Sequence, residues 1–181
     1  PALQVKTLAV DGLGNIYAGA GLGQGAFRIS AGGTQWTDTG IASMSGGWTA
    51  VFAAAVKPSN NYVFIGTHQG HIYRSTDNGA IFTRVGDGTT SEYIYDILVA
   101  PDGDIFISTR GQGVFRSEDD GLTWSAVNIG LGSKDVRSLF YNTGNNTLYA
   151  GTTGGLYYLD AGNSWIAVTT EGLTDLHIYG I

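Results

Sequence analysis

One pattern recurs four times along the chain, and a repeat of this length constrains the fold more than any other feature. Four stretches align: Gly25-Ala-Phe-Arg-Ile-Ser, Gly70-His-Ile-Tyr-Arg-Ser, Gly113-Val-Phe-Arg-Ser and Gly155-Leu-Tyr-Tyr-Leu. An aromatic follows each, at Trp36, Phe82, Trp124 and Trp165, with spacings of 46, 42 and 41 residues. A second shared segment precedes each glycine: Asn15-Ile-Tyr-Ala-Gly, Tyr62-Val-Phe-Ile-Gly, Asp104-Ile-Phe-Ile-Ser and Thr147-Leu-Tyr-Ala-Gly. Before those stand Val5-Lys-Thr-Leu-Ala-Val, Thr49-Ala-Val-Phe-Ala-Ala, Ile94-Tyr-Asp-Ile-Leu-Val and Val136-Arg-Ser-Leu-Phe-Tyr. The repeat therefore covers essentially the whole 181 residues.

Each unit reads as four short strands, because its segments run five to seven residues, mostly alternate, and are rich in Val, Ile, Tyr, Phe and Thr. Turn-forming residues separate the first two strands of each unit: Asp11-Gly12, Pro58-Ser-Asn-Asn61, Pro101-Asp-Gly103 and Thr143-Gly-Asn-Asn146. No stretch shows convincing helical periodicity. Four-stranded units of about 40–45 residues are the sequence period of β-propeller blades. The expectation is an all-β chain, a single β-propeller or propeller segment spanning 1–181. Its four antiparallel blades fall near residues 3–40, 48–86, 93–128 and 135–170, with one extra first strand at 174–181.

At the turn from third to fourth strand the residues become specific. Ser75, Asp77, Gly79 and Phe82 in one unit, and Ser117, Asp119, Gly121 and Trp124 in the next, share the pattern Ser-x-Asp-x-Gly-x-x-aromatic. The fourth unit keeps Asp160, Gly162 and Trp165 with Tyr158 at the serine place, and the first has Ala31 where the aspartate would stand. The pattern resembles the Asp-box, the bacterial neuraminidase repeat of sialidases, xyloglucanases, sortilin-type receptors and photosystem assembly factors. Physically the motif is a turn staple. Its Asp accepts backbone N–H bonds within the turn, its Gly supplies a positive φ, and its aromatic is expected to be buried between blades. These residues are read as structural.

The resemblance also implies which chemistry to look for, and the sequence answers poorly to it. A sialidase needs an arginine triad, a Tyr nucleophile and an Arg-Ile-Pro signature. Here the nearest match is Arg28-Ile29-Ser30, and Arg28, Arg74 and Arg116 share one repeat position on the third strand. A xyloglucanase needs two facing acids, for which Asp135 and Asp175 sit at equivalent loop positions. Gly19-Ala-Gly-Leu-Gly-Gln-Gly25 fits no phosphate-binding pattern, and His68, His71 and His177 lack the spacing of a metal set. With no Cys, thiolate metal sites and a cysteine nucleophile are excluded. The chain is thus expected to be non-enzymatic, with no cofactor and no metal; the alternative is a fragment or relative of an Asp-box glycoside hydrolase.

Binding is the better expectation. The loops after each second strand and those entering each blade share one face, and they carry Trp48, His68, Gln69, Tyr93, Arg110 and Gln112. Aromatics beside amides would suit a glycan or a protein ligand. Nine basic against fifteen acidic residues argue against nucleic acid or an anionic membrane. Low charge and abundant Gly, Thr and Ser suit an extracellular or periplasmic setting, although no signal peptide is visible and the first residue is Pro1. Finally, Gly172 to Ile181 repeats the first strand of a fifth unit. It is expected to pair with another chain or with a continuation of this one, making self-association through terminal strands a candidate role.

Overall fold

The computed structural model describes residues 4–169 together with 177, 178 and 180. Four antiparallel sheets of four strands follow one another along the chain, each in simple sequence order. The first blade holds β1 (Val5–Val10), β2 (Ile16–Ala20), β3 (Gly25–Ile29) and β4 (Thr37–Asp38). The second holds β5 (Val51–Lys57), β6 (Tyr62–Thr67), β7 (Ile72–Ser75) and β8 (Thr83–Val85). The third holds β9 (Ile94–Val99), β10 (Ile105–Thr109), β11 (Val114–Ser117) and β12 (Ser125–Ala126). The fourth holds β13 (Val136–Asn142), β14 (Thr147–Thr152), β15 (Gly155–Leu159) and β16 (Trp165–Ala167). This is a β-propeller architecture of four blades. One element was not legible in the periodicity: a single helical turn, α1 (Ile41–Met44), between the first two blades, whose Ile41 is buried against them.

The innermost strands neighbour one another in the order β1, β5, β9, β13. Because side chains alternate along a strand, every blade has one face toward its predecessor and one toward its successor. We call these the leading and trailing faces. At the first joint, Tyr17 and Ala26 on the trailing face of blade one bury Val63, Ile65, Tyr73 and Phe82 of blade two. At the second, Phe64 and Ile72 meet Ile97, Ile105, Ile107, Phe115 and Trp124. At the third, Phe106 and Val114 meet Leu139, Leu148, Ala150, Tyr157 and Trp165. The core is therefore three slabs between sheets rather than one central mass.

The joints explain the repeating aromatic. Phe82 is 4% exposed and Trp165 1%, each packed on the blade before it, while Trp124 is half-buried. Trp36 departs from the expectation of burial: it is 47% exposed. The reason is positional. Blade one has no preceding blade among the described residues, so the face carrying Trp36 has nothing to pack on.

The expected strand at 174–181 falls largely outside the described residues, since 174–176, 179 and 181 are not among them. Within it, the Ile178 amide donates to the Thr152 carbonyl of β14 at 2.9 Å.

Candidate functional site

The Ser-x-Asp-x-Gly turns are built by local hydrogen bonds. The Asp77 carboxylate accepts from the amides of Ala80 and Ile81, at 3.1 and 2.9 Å, and from the Ser75 hydroxyl at 2.7 Å. Asp119 does the same with the Thr123 amide at 2.8 Å, the Thr123 hydroxyl at 2.6 Å and the Ser117 hydroxyl at 2.8 Å. Asp160 accepts from the amides of Gly162 and Ser164 at 2.9 and 2.8 Å. Bonds to the charged form hold a carboxyl low: the Thr123 hydroxyl and amide bring Asp119 down to about 2, and the Ile81 amide lowers Asp77. The glycine is needed twice over at Gly79. Its φ is +77°, and a Cβ there would stand 2.2 Å from the ring of Tyr17 in the preceding blade.

Of the arginines at the shared third-strand position, Arg74 reaches across a joint, while Arg116 is paired within its own blade. Arg74 donates to the backbone carbonyl of Asp120 in the next blade at 2.7 Å, and Arg116 is paired with Asp104 and Glu118. Spread over separate blades and engaged in this way, they do not converge on one anion.

Chemistry-bearing side chains do converge on the face where the blades are entered. Trp48, 56% exposed, stands edge-on to His68 at 4.7 Å between ring centres, and His68 stands edge-on to Tyr93 at 5.7 Å. Tyr93 stacks on Phe52 at 5.9 Å with planes 14° apart and touches Tyr95 at 6.2 Å. Two guanidinium groups cap the run: Arg110 lies 5.2 Å over Tyr93 and Arg137 lies 4.4 Å over Tyr95. Arg137 also donates to the Tyr95 hydroxyl at 2.8 Å and pairs with Asp135 at 2.7 Å. His68 Nδ1 accepts from the Ala50 amide at 3.1 Å, which fixes the ring as the Nε2–H tautomer when neutral.

The glycine-rich loop between β2 and β3 turns out to seat this face. Gly23 has φ +78°, and a Cβ there would fall 2.0 Å from the indole of Trp48. The Thr49 amide donates to the Gly23 carbonyl at 3.2 Å, and the Gly25 amide to Thr49 at 2.8 Å. So the glycines make room for a tryptophan and zip the loop to the strand that carries it.

Of the six residues expected to form a ligand face, four come together: Trp48, His68, Tyr93 and Arg110. Gln69 and Gln112 do not point into the run. The Gln69 side-chain oxygen accepts from the Thr49 hydroxyl at 2.7 Å, and that of Gln112 from the Thr90 hydroxyl and the Ser91 amide, so each anchors the loop entering its own blade. Sequence reasoning missed Phe52, Tyr95 and Arg137. They occupy the same repeat position, second in each innermost strand, flanked by the buried Val51, Ile94 and Val136. That alternation is the signal that sets them on the opposite side, toward the axis. Asp175 lies outside the described residues, and Asp135 is already held by Arg137. Asp96, whose carboxyl burial pushes up, accepts from the Leu139 amide at 2.9 Å and bridges two blades. Among the described residues no three His, Asp or Glu side chains are grouped to hold a metal, and no helix is long and apolar enough to cross a membrane.

Comparison with known proteins gives the same architecture. The family model of the DUF6242 beta propeller domain matches residues 30–177. No curated protein matches the chain. Among solved structures it is similar to the GH74 enzyme of Niastella koreensis, with TM-score 0.71 and 20% identity, over 94% of this chain and 30% of that one. It is similar to virginiamycin B lyase from Staphylococcus aureus, with TM-score 0.73 and 13% identity, over 93% of this chain and 56% of that one. It is also similar to the extracellular domain of a hybrid two-component system of B. thetaiotaomicron, with TM-score 0.76 and 18% identity, over 98% of this chain and 25% of that one. The chain thus spans between a quarter and just over half the length of these neighbours. At such identities the likeness is one of fold.

Proposed function

We propose that this chain, which belongs to the DUF6242 beta propeller domain family, is a non-enzymatic binding module that takes a glycan on the face formed by Trp48, His68, Tyr93, Phe52 and Tyr95. The observation that carries the reading is the unbroken aromatic run, 4.7 to 6.2 Å from ring to ring, with Trp48 more than half exposed. Sugar rings offer axial C–H faces to stack on such rings, and Arg110 offers donors for the hydroxyl groups beside them. The same side chains would also accept a peptide segment rich in aromatics. An extracellular or periplasmic site of action agrees with the extracellular domain of a two-component system among the structural neighbours. The Asp-box kinship is part of the same proposal and accounts for the stapled turns at Asp77, Asp119 and Asp160.

A hydrolase reading draws on the GH74 neighbour. It needs two carboxylates facing each other across a cleft. On this face Asp135 is bound to Arg137, and Asp96 accepts from the Leu139 amide of the next blade, so both of these acids are engaged in holding the structure.

The test is a titration of the chain with neutral and acidic oligosaccharides, followed by tryptophan emission and calorimetry. Binding that Trp48→Ala and Tyr93→Ala each weaken at least about tenfold supports the reading. Binding unchanged in both variants, or release of reducing sugar during the titration, contradicts it.

A further inference from the structure

The geometry points to the two end faces of this arc as docking sites for further blades of the same repeat, carried by the same polypeptide outside residues 1–181. The argument rests on equivalent positions. In blade two, Ala54, Ile65, Tyr73 and Phe82 form the leading face, packed on the blade before. In blade four, Leu139, Ala150, Tyr157 and Trp165 do the same, and Trp165 also donates from its indole to the Val127 carbonyl of blade three at 2.8 Å. The residues at those positions in blade one are Leu8, Ala18, Phe27 and Trp36. With Val5 they line an open apolar groove, in which Leu8 is 61% exposed. These are the side chains of a blade joint with no blade in it.

The other end mirrors the first. Trailing faces carry Tyr17, Phe64 and Phe106 at one repeat position, all buried by the blade that follows. Blade four has Tyr149 there, and with Phe140, 46% exposed, and Leu156 it lines a second open apolar groove. An apolar face of this size and regularity is normally covered in a soluble protein.

What covers it follows from Ile178. A Cβ on Gly19 would meet Val51 of the next innermost strand, one on Gly66 would meet Ile94, and one on Gly151 would meet Ile178 at 2.7 Å. The Ile178 amide donates to Thr152, next to Gly151. Thus the innermost place beyond blade four is taken by a residue of this same chain. A second copy would bring its own β1 to that place, and the two would compete. A blade of the same polypeptide that continues from Ile178 meets no such conflict. A blade packed ahead of β1 covers Trp36, Phe27 and Leu8, and the succession closes into a ring.

Hydrogen exchange tests this on two proteins, the chain 1–181 and the same chain extended by its native flanking residues. Extension is expected to slow exchange roughly tenfold or more in β1 to β4 and β13 to β15, leaving β6 and β10 unchanged. It is also expected to shield Trp36 from acrylamide, while chain 1–181 sediments at its 19.0 kDa monomer mass. Trp36→Ala is then expected to lower the melting temperature of the extended protein only. Three results overturn the inference. They are native flanks without the 42-residue pattern, a Trp36 equally accessible in both proteins, or a chain 1–181 of twice its monomer mass with Trp36 shielded, which would make a second copy the occupant.

Discussion

Trp36 and Trp165 occupy the same place in the repeat, at the head of the fourth strand, on the leading face of their blades. One is 47% exposed and the other 1%. Residue type and repeat position are matched, although the turn before Trp36 has Ala31 where the turn before Trp165 has Asp160; the difference in burial follows what stands beside the blade. Trp165 has the trailing face of blade three and its Val127 carbonyl; Trp36 has open space lined by Leu8 and Phe27. In a propeller, then, a side chain earns its stabilising role from the joint rather than from the sheet it belongs to. Cohesion is a nearest-neighbour property, as in other repeat proteins.

The largest expected effect separates these two tryptophans. Trp165→Ala should destabilise the chain by about 3–5 kcal/mol, the usual cost of emptying a large aromatic site in a core. Trp36→Ala in the 181-residue chain should stay within about 0.5 kcal/mol. Urea denaturation followed by circular dichroism measures both. Equal losses would break the comparison.

A second contrast sets the stapled turn of blade three against the turn of blade one. Asp119→Ala should cost about 1–2 kcal/mol through loss of the bonds to the Thr123 amide and hydroxyl. Ala31 stands at the equivalent place in blade one. Ala31→Asp should gain up to about 1 kcal/mol if the backbone there can staple in the same way.

The pH dependence is the smallest effect. The folded carboxyl of Asp119 sits at about 2, below its ordinary 3.8. A depressed acid contributes stability that is complete above 3.8 and is lost as pH falls from there through about 2. The group is only half-buried and is screened by solvent, so its share should be under about 1 kcal/mol, visible as a shallower acid limb in Asp119→Ala.

The repeat made the blades legible because a strand period of two and a unit of about 42 residues survive any neighbour. Asp77 and Asp119 were legible for the same reason: their bonding is confined to seven consecutive residues, 75–81 and 117–123. The candidate site was only half legible. Trp48, His68, Tyr93 and Arg110 lie in loops, where exposure is the default. Phe52 and Tyr95 lie inside apolar strands and read as core until the innermost strands are set around an axis. Gln69 and Gln112 were not separable by sequence, because an amide in a loop reads the same whether it faces outward or holds the loop that enters its own blade. Burial at Trp36 failed because periodicity says which way a side chain points and not whether anything is there to meet it.

The central claim is that joints, not sheets, decide burial, and single-tryptophan quenching tests it most directly. Variants of the 181-residue chain retaining only Trp36 or only Trp165, the others replaced by Phe, would be titrated with acrylamide. The account expects a quenching slope for Trp36 at least about threefold steeper than for Trp165, since collisional access follows exposure. Equal slopes in the folded, monomeric chain would show that the leading face of blade one is covered, and would contradict it.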